Sequence, residues 1–188
     1  MIKGNGYAYG WMMQLLHWIL AVLIIGMLAI GLSFLFIPNG PVKSQLIGLH
    51  KSVGMTILFL MIIRICWRAY DVQPPLPITV APWEKIAART VQAAFYLVLL
   101  IMPLSGWLLS SFGGHPVMVW NWFNAAVPVT KNPQISQNFF TIHAVFAWIL
   151  IGLIVLHVGA ALKHHFMEKN NVLRRMIPGY KPFTLENK

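Results

Sequence analysis

Four histidines stand inside long apolar stretches of this 188-residue chain: His17, His50, His143 and His157. An ionisable side chain within a membrane is costly and by default marks a functional site. Imidazole binds transition metals through a neutral ring nitrogen, and coordination offsets the hydration lost on burial. The depths of the four are informative. His17 lies six residues in from the start of the first stretch, and His157 five residues from the end of the last. His50 lies six residues into the second stretch and His143 eight residues into the last. They therefore fall into two layers, one near each membrane face, with two imidazoles from different stretches in each. His143 and His157 are 14 residues apart, which on a helix is within about 40° of four full turns and about 21 Å along the axis. Two imidazoles at one depth on facing helices form an axial pair for a haem between them, and two such pairs make an electron path across a bilayer.

The elements that must position these rings are membrane helices. The chain is 58% hydrophobic and 10% charged, where soluble domains carry roughly a quarter charged residues. Trp11 to Ile37, Thr90 to Phe112 and Ile135 to Leu162 contain no charge, and Ser44 to Trp67 is broken only by Lys51 and Arg64. Roughly 20 apolar residues cross a hydrocarbon core of about 30 Å, so all four can span it, and in lipid they must be helical. The expected fold is an all-α membrane protein, a four-helix transmembrane bundle forming one domain over residues 1–188. The first stretch is longer than a signal-peptide core of roughly 7–15 residues and carries His17, so it reads as a retained helix. With the N-terminus inside, Lys3, Arg64, Arg68, Lys85, Arg89, Lys163, Lys169, Arg174, Arg175, Lys181 and Lys188 lie on the cytoplasmic side. Only Lys43, Lys51 and Lys131 lie outside. The positive-inside rule thus places both termini in the cytoplasm, with a basic tail over 163–188. The net charge of +10 belongs to this asymmetry. No basic cluster interleaved with aromatics points to nucleic acid.

Two connections are long. Arg68 to Arg89 holds Pro74, Pro75, Pro77 and Pro82 and reads as an irregular inner loop. Gly113 to Gln134 holds Trp120, Trp122 and Phe123 and is expected to fold back at headgroup level. Pro103 is expected to kink the third helix. Gly54, one turn beyond His50, leaves room for a flat cofactor; simple helix packing is the alternative. Arg64 and Arg68 are positioned for haem propionates, and ordinary anchoring at the inner face is the alternative. His115, His164 and His165 lie outside the spans, and His164 matches the depth of His17 less well than His157 does. Asp71, Glu84, Glu168 and Glu186 all lie outside the spans, which counts against a metal channel or proton-coupled carrier. The lone Cys66 cannot run a dithiol relay and reads as a small buried apolar residue. The absence of C-x-x-C-H excludes covalently attached haem.

Leu16-His17-Trp18, the segment HKSVGMTILFLMIIRICWR from His50 to Arg68, LIMPLSGWLLSS from Leu100 to Ser111, and the His143, His157 and His164-His165 steps of the last helix together resemble the bacterial cytochrome b561 family. The resemblance runs essentially end to end. It implies a multi-pass protein of the bacterial inner membrane with two non-covalent, bis-histidine b-type haems. His17 would pair with His157 and His50 with His143, as the depths also indicate. Members often carry histidine early in the third helix, where this chain has Arg89 and Gln92. The resemblance further implies electron exchange with membrane quinone, ubiquinone in particular, and an outer-side partner. That partner is either superoxide, making the chain a superoxide:quinone oxidoreductase, or a periplasmic redox protein for which the chain is the haem-bearing anchor. Lys43, Lys51 and Lys131, with no outer carboxylate beside them, would attract a small anion.

Overall fold

Proline opens three of the four long helices. Pro41, Pro82 and Pro133 each occupy a first-turn position, where the missing N–H costs no hydrogen bond and the fixed φ favours the helix. The computed structural model describes residues 1–179, so the end of the basic tail, with Lys181, Glu186 and Lys188, lies outside the described residues. In it α1 runs Trp11–Ser33, α2 Pro41–Tyr70, α3 Pro82–Phe112 and α4 Pro133–Leu162. A single π turn, Lys163–Met167, continues α4, and a 3-10 turn follows at Arg174–Met176. All four long helices are apolar and long enough to cross a membrane.

The boundaries differ from those read off hydropathy. The first helix stops at Ser33 rather than residue 37, because Phe34 to Ile37 form a turn whose carbonyls are taken by Lys43. Its Nζ donates to the Phe34 and Ile37 carbonyls at 3.0 and 3.1 Å. The second helix is longer at both ends than 44–67. The third starts at Pro82 rather than residue 90, so part of the inner loop is a polar first two turns of α3, opened by the Glu84 carboxylate accepting from the Ala81 N–H. The fourth gains its first turn from the Asn132 side chain, which caps the Ile135 N–H at 3.1 Å. Hydropathy senses lipid, whereas caps and proline set where a helix begins. A Lys43→Met substitution is expected to cost about 1–2 kcal/mol by stranding these carbonyls, read as a lower unfolding temperature in detergent.

Helix α1 packs on α2, α2 on α3 and α3 on α4. The core lies at mid-depth, between the two histidine layers. Leu20, Ile24 and Met27 of α1 meet Ile57 and Met61 of α2, Val98 and Leu99 of α3, and Leu150 of α4. Large apolar side chains also cover the outside, among them Val22, Phe59, Leu97, Trp148 and Val155. Helices apolar all round are what a lipid solvent selects. Cys66, expected to be buried, is exposed on this outer surface.

The outer connection folds back onto α2 through a small hairpin. Met118–Val119 and Phe123–Asn124 pair as a small antiparallel hairpin, turned by Trp120 and Asn121 at φ 51° and 60°. A left-handed tryptophan is unusual, and α2 holds it there. The Trp120 N–H donates to the Ser52 hydroxyl at 3.1 Å, and its indole N–H donates to the Thr56 hydroxyl at 3.0 Å. Ser52 in turn donates to the Met118 carbonyl at 3.0 Å, and Lys51 reaches the Pro116 carbonyl at 2.9 Å. Ser52 is buried, so Ser52→Ala removes the bonds to Trp120 and Met118 and is expected to cost about 1–3 kcal/mol. Faster proteolysis between Gly114 and Ala126 would register the freed hairpin.

The inner end is closed by three segments meeting. Gln14 and Trp18 of α1 donate to the Arg175 and Met176 carbonyls at 3.1 and 2.9 Å, and Arg175 donates to the Pro75 carbonyl at 2.6 Å. Gly4 donates to buried Asp71 at 2.8 Å. The segment before α1, the α2–α3 connection and the segment after α4 therefore share one side, as an even number of crossings requires. The lysine and arginine distribution marks that side as cytoplasmic.

Candidate functional site

The fold brings the four span histidines together in two pairs. At the inner layer the His17 ring of α1 and the His157 ring of α4 have centroids 6.0 Å apart, at 67° to one another. At the outer layer His50 of α2 and His143 of α4 are 6.1 Å apart at 70°. These helices are not otherwise close neighbours, since α4 packs its backbone on α3. Apart from the shared core around Leu150, the pairs thus bridge helices whose backbones are not in close contact. His17, His50 and His143 are half-buried and His157 is exposed.

Each ring is oriented by its surroundings. Trp18 stands edge-on to His17 at 5.3 Å, and Phe95 edge-on to His157 at 5.4 Å. Phe34 lies 5.5 Å from His50. His143 is fixed most firmly, because its Nδ1 lies 2.8 Å from the Met102 carbonyl and 3.3 Å from the Ser105 hydroxyl, both of α3. A protonated Nδ1 donating to that carbonyl leaves Nε2 free as a metal ligand. Gly106 permits the approach: a β-carbon built there would stand 2.9 Å from Cε1 and 3.1 Å from Nδ1 of the His143 ring. Gly31 of α1 borders the His50 ring less tightly, at 3.5 Å.

Arg64 of α2 points into the inner layer, with Nη2 3.5 Å from His17 Nδ1. Its Nη1 is buried without a partner, as are the Trp67 indole N–H and the Arg175 Nε. Arg68 donates to Gln73 at 3.2 Å and lies over the Tyr96 ring. Burial raises the pKa of the Tyr9 hydroxyl, and the positive charges of Arg68, Arg175 and Arg64 oppose that shift. Gly54, expected to leave room for a cofactor, faces Met27 of α1 at ordinary contact distance; the close approach is at Gly106 instead.

These residues suit a bis-histidine haem. Two imidazoles bound on opposite sides of one metal at about 2 Å each have ring centres roughly 6 Å apart, which is the spacing found twice. Orphaned buried donors at the inner layer are what haem carboxylates would satisfy. The buried His50 Nδ1 also lacks a partner.

Among the remaining histidines, His115 is exposed in the outer loop. His164 is buried below α4, where its Nδ1 lies 2.7 Å from Glu168 and 2.9 Å from the Asn170 amide. Together with Glu84 these groups have the makings of a cation site. Lys163 already supplies the cation, since its ammonium bonds both carboxylates and its hydrogen bond holds the Glu168 carboxyl below the usual range. The group ties the start of α3 to the end of α4.

Residues that sequence reasoning missed are Met102, Ser105, Gly106, Trp67 and Arg175. The small residues after Pro103 were a signal for Ser105 and Gly106. Arg175 gave none, because its place depends on the return of the chain after α4.

Comparison with known proteins identifies the family. The profile described as prokaryotic cytochrome b561 matches residues 8–179. Cytochrome b561 homolog 2 of Escherichia coli K12 is 35% identical over 175 residues, 90% of each chain. Cytochrome b561 homolog 1 of the same organism is 32% identical over 131 residues, 69% of this chain and 73% of the relative. A probable superoxide oxidase of Yersinia pestis is 29% identical over 132 residues, with the same coverage. The chain belongs to the prokaryotic cytochrome b561 family, and so is a multi-pass bacterial membrane protein of b-type haem and transmembrane electron transfer.

Proposed function

We propose that the chain, a single domain, carries electrons across the bacterial inner membrane through two non-covalent b-type haems. His17 and His157 would hold one near the cytoplasmic face, and His50 and His143 the other near the outer face. The observation that carries this reading is the repeated ring spacing, 6.0 and 6.1 Å, between helices that do not otherwise pack closely. Bound haem supplies reversible one-electron chemistry. The chain's own part is to hold the imidazoles, to exclude water with the apolar core between the layers, and to neutralise carboxylates with Arg64, Arg68 and Arg175.

Membrane quinone, ubiquinone in particular, is the proposed partner on the lipid side. Superoxide is the proposed outer donor, a reading supported by the similarity to the Yersinia pestis protein of that printed name and by the cationic outer face. Two superoxide anions would each lose one electron to become dioxygen, and the two electrons with two protons from water would convert one quinone to quinol. Lys43 and Lys51 are engaged with backbone carbonyls, so their part is a field rather than direct ligation. Purified haem-loaded protein fed superoxide and a short-chain quinone is expected to form quinol continuously. Rapid haem reduction by superoxide without turnover would instead support the anchor reading, with a periplasmic redox protein as the missing partner. The exposed Trp122 and Phe123 of the hairpin favour that as the second reading.

A further inference from the structure

The geometry points to an intrinsic bias between the two layers: the inner site sits at a higher reduction potential than the outer one, with Arg64 as the positioning charge. This rests on the proposal that each histidine pair holds a haem. At the inner layer Arg64 places a permanent cation 3.5 Å from His17. One of its nitrogens is buried and unpartnered, and among the described residues no carboxylate lies within ion-pair distance of it. Glu84 and Glu168 are instead taken by Lys163, and one oxygen of Asp71 by the Gly4 and Val72 N–H groups. A cation beside a metal site favours the state with one more electron, and within a low-dielectric bundle it is poorly screened. Propionate carboxylates pairing with Arg64 would be neutralised by it, so the sign holds in either case.

The outer layer is built the other way. The Nδ1 of His143 faces the Met102 carbonyl at 2.8 Å, and among the described residues no guanidinium is hydrogen-bonded to either ring. Donation from Nδ1 to a carbonyl makes the imidazole a stronger donor to its metal and so favours the oxidised state. Lys51, next to His50 in sequence, turns away to the Pro116 carbonyl of the hairpin. With both sites loaded, one shared electron would rest on the inner site at equilibrium, the outer site being oxidised as the inner is reduced, with no proton required.

Potentiometric titration of the purified haem-loaded chain tests this, with haem content measured alongside. Two one-electron waves are expected. The His50→Ala protein should retain the higher wave and the His157→Ala protein the lower. Arg64→Gln should move the higher wave down by at least tenfold in its one-electron equilibrium, 59 mV, with the lower wave unmoved and two haems still bound. Arg64→Lys should recover most of the shift. Inversion of the assignment, coincident waves, or an Arg64→Gln protein with both waves in place would overturn the inference. So would loss of the inner haem from both Arg64 variants, which would make Arg64 a binding residue only. A wild-type protein with fewer than two haems would instead overturn the underlying paired reading.

Discussion

Alanine at His50 is expected to leave the purified chain with one b-type haem in place of two, and alanine at His157 to remove the other. The rings of the two pairs stand 6.0 and 6.1 Å apart, so each metal would have one imidazole on each side. Removing either partner would leave one imidazole to hold the group. His164 is held by Glu168 and Asn170 and His115 lies in the outer loop, while His165, its buried Nδ1 unpartnered, lies eight residues beyond His157 in the turn after α4. The pairing makes a sharper demand than haem loss alone. His143→Ala must lose the same haem as His50→Ala, and His17→Ala the same one as His157→Ala, judged from reduced-minus-oxidised spectra and haem content. If His50→Ala and His17→Ala were spectrally identical, the two-layer arrangement would be wrong. A chain that binds no haem at all would return attention to a haem-free transporter.

The second large effect is expected at Gly106, which contacts no cofactor in the proposal. A β-carbon there would press on the His143 ring at 2.9 Å, closer than real β-carbons approach neighbours. The ring cannot retreat without giving up the 2.8 Å contact to the Met102 carbonyl. Gly106→Ala should therefore weaken the outer haem alone, by the 10- to 100-fold typical of lost outer-shell support, and Gly106→Val should remove it. Gly54→Ala is the matched control. Its added β-carbon would meet only the mobile end of Met27 at 3.7 Å, so haem content should stay near that of the parent. Equal losses in the two variants would show that the bundle tolerates no added volume anywhere, and that Gly106 has no special link to His143.

The contrast between the two glycines shows where reading the sequence stops. From spacing alone Gly54 is the natural place for a cofactor to approach, one turn from His50 on the same face. What shares its face on the neighbouring helix is a matter of packing, and Met27 occupies that space. Gly106 has no histidine nearby in the chain; its partner is 37 residues away on α4. Similarly, Arg64 is visible in sequence as a charge near the inner face. Whether it pairs outward with headgroups or turns inward to His17 depends on the rotation of α2 against α1.

The sequence by itself determined the four spans, their even number, the side that carries the positive charge, and the sorting of four histidines into two layers. These follow from one-dimensional quantities: the length of an apolar run against bilayer thickness, and a fixed rise per residue. Depth along the spans already paired the rings; tertiary structure alone decided that α4 packs its length on α3 while meeting α1 and α2 at those pairs. It also decided that the outer loop is a hairpin pinned to Ser52 and Thr56, and that Arg175 returns to the inner layer. The physical reason is that helices apolar on every side carry no pattern telling lipid from neighbour. In α4 only Leu150 is fully buried among thirty residues, and its orientation is set by contacts with other helices rather than by its own periodicity.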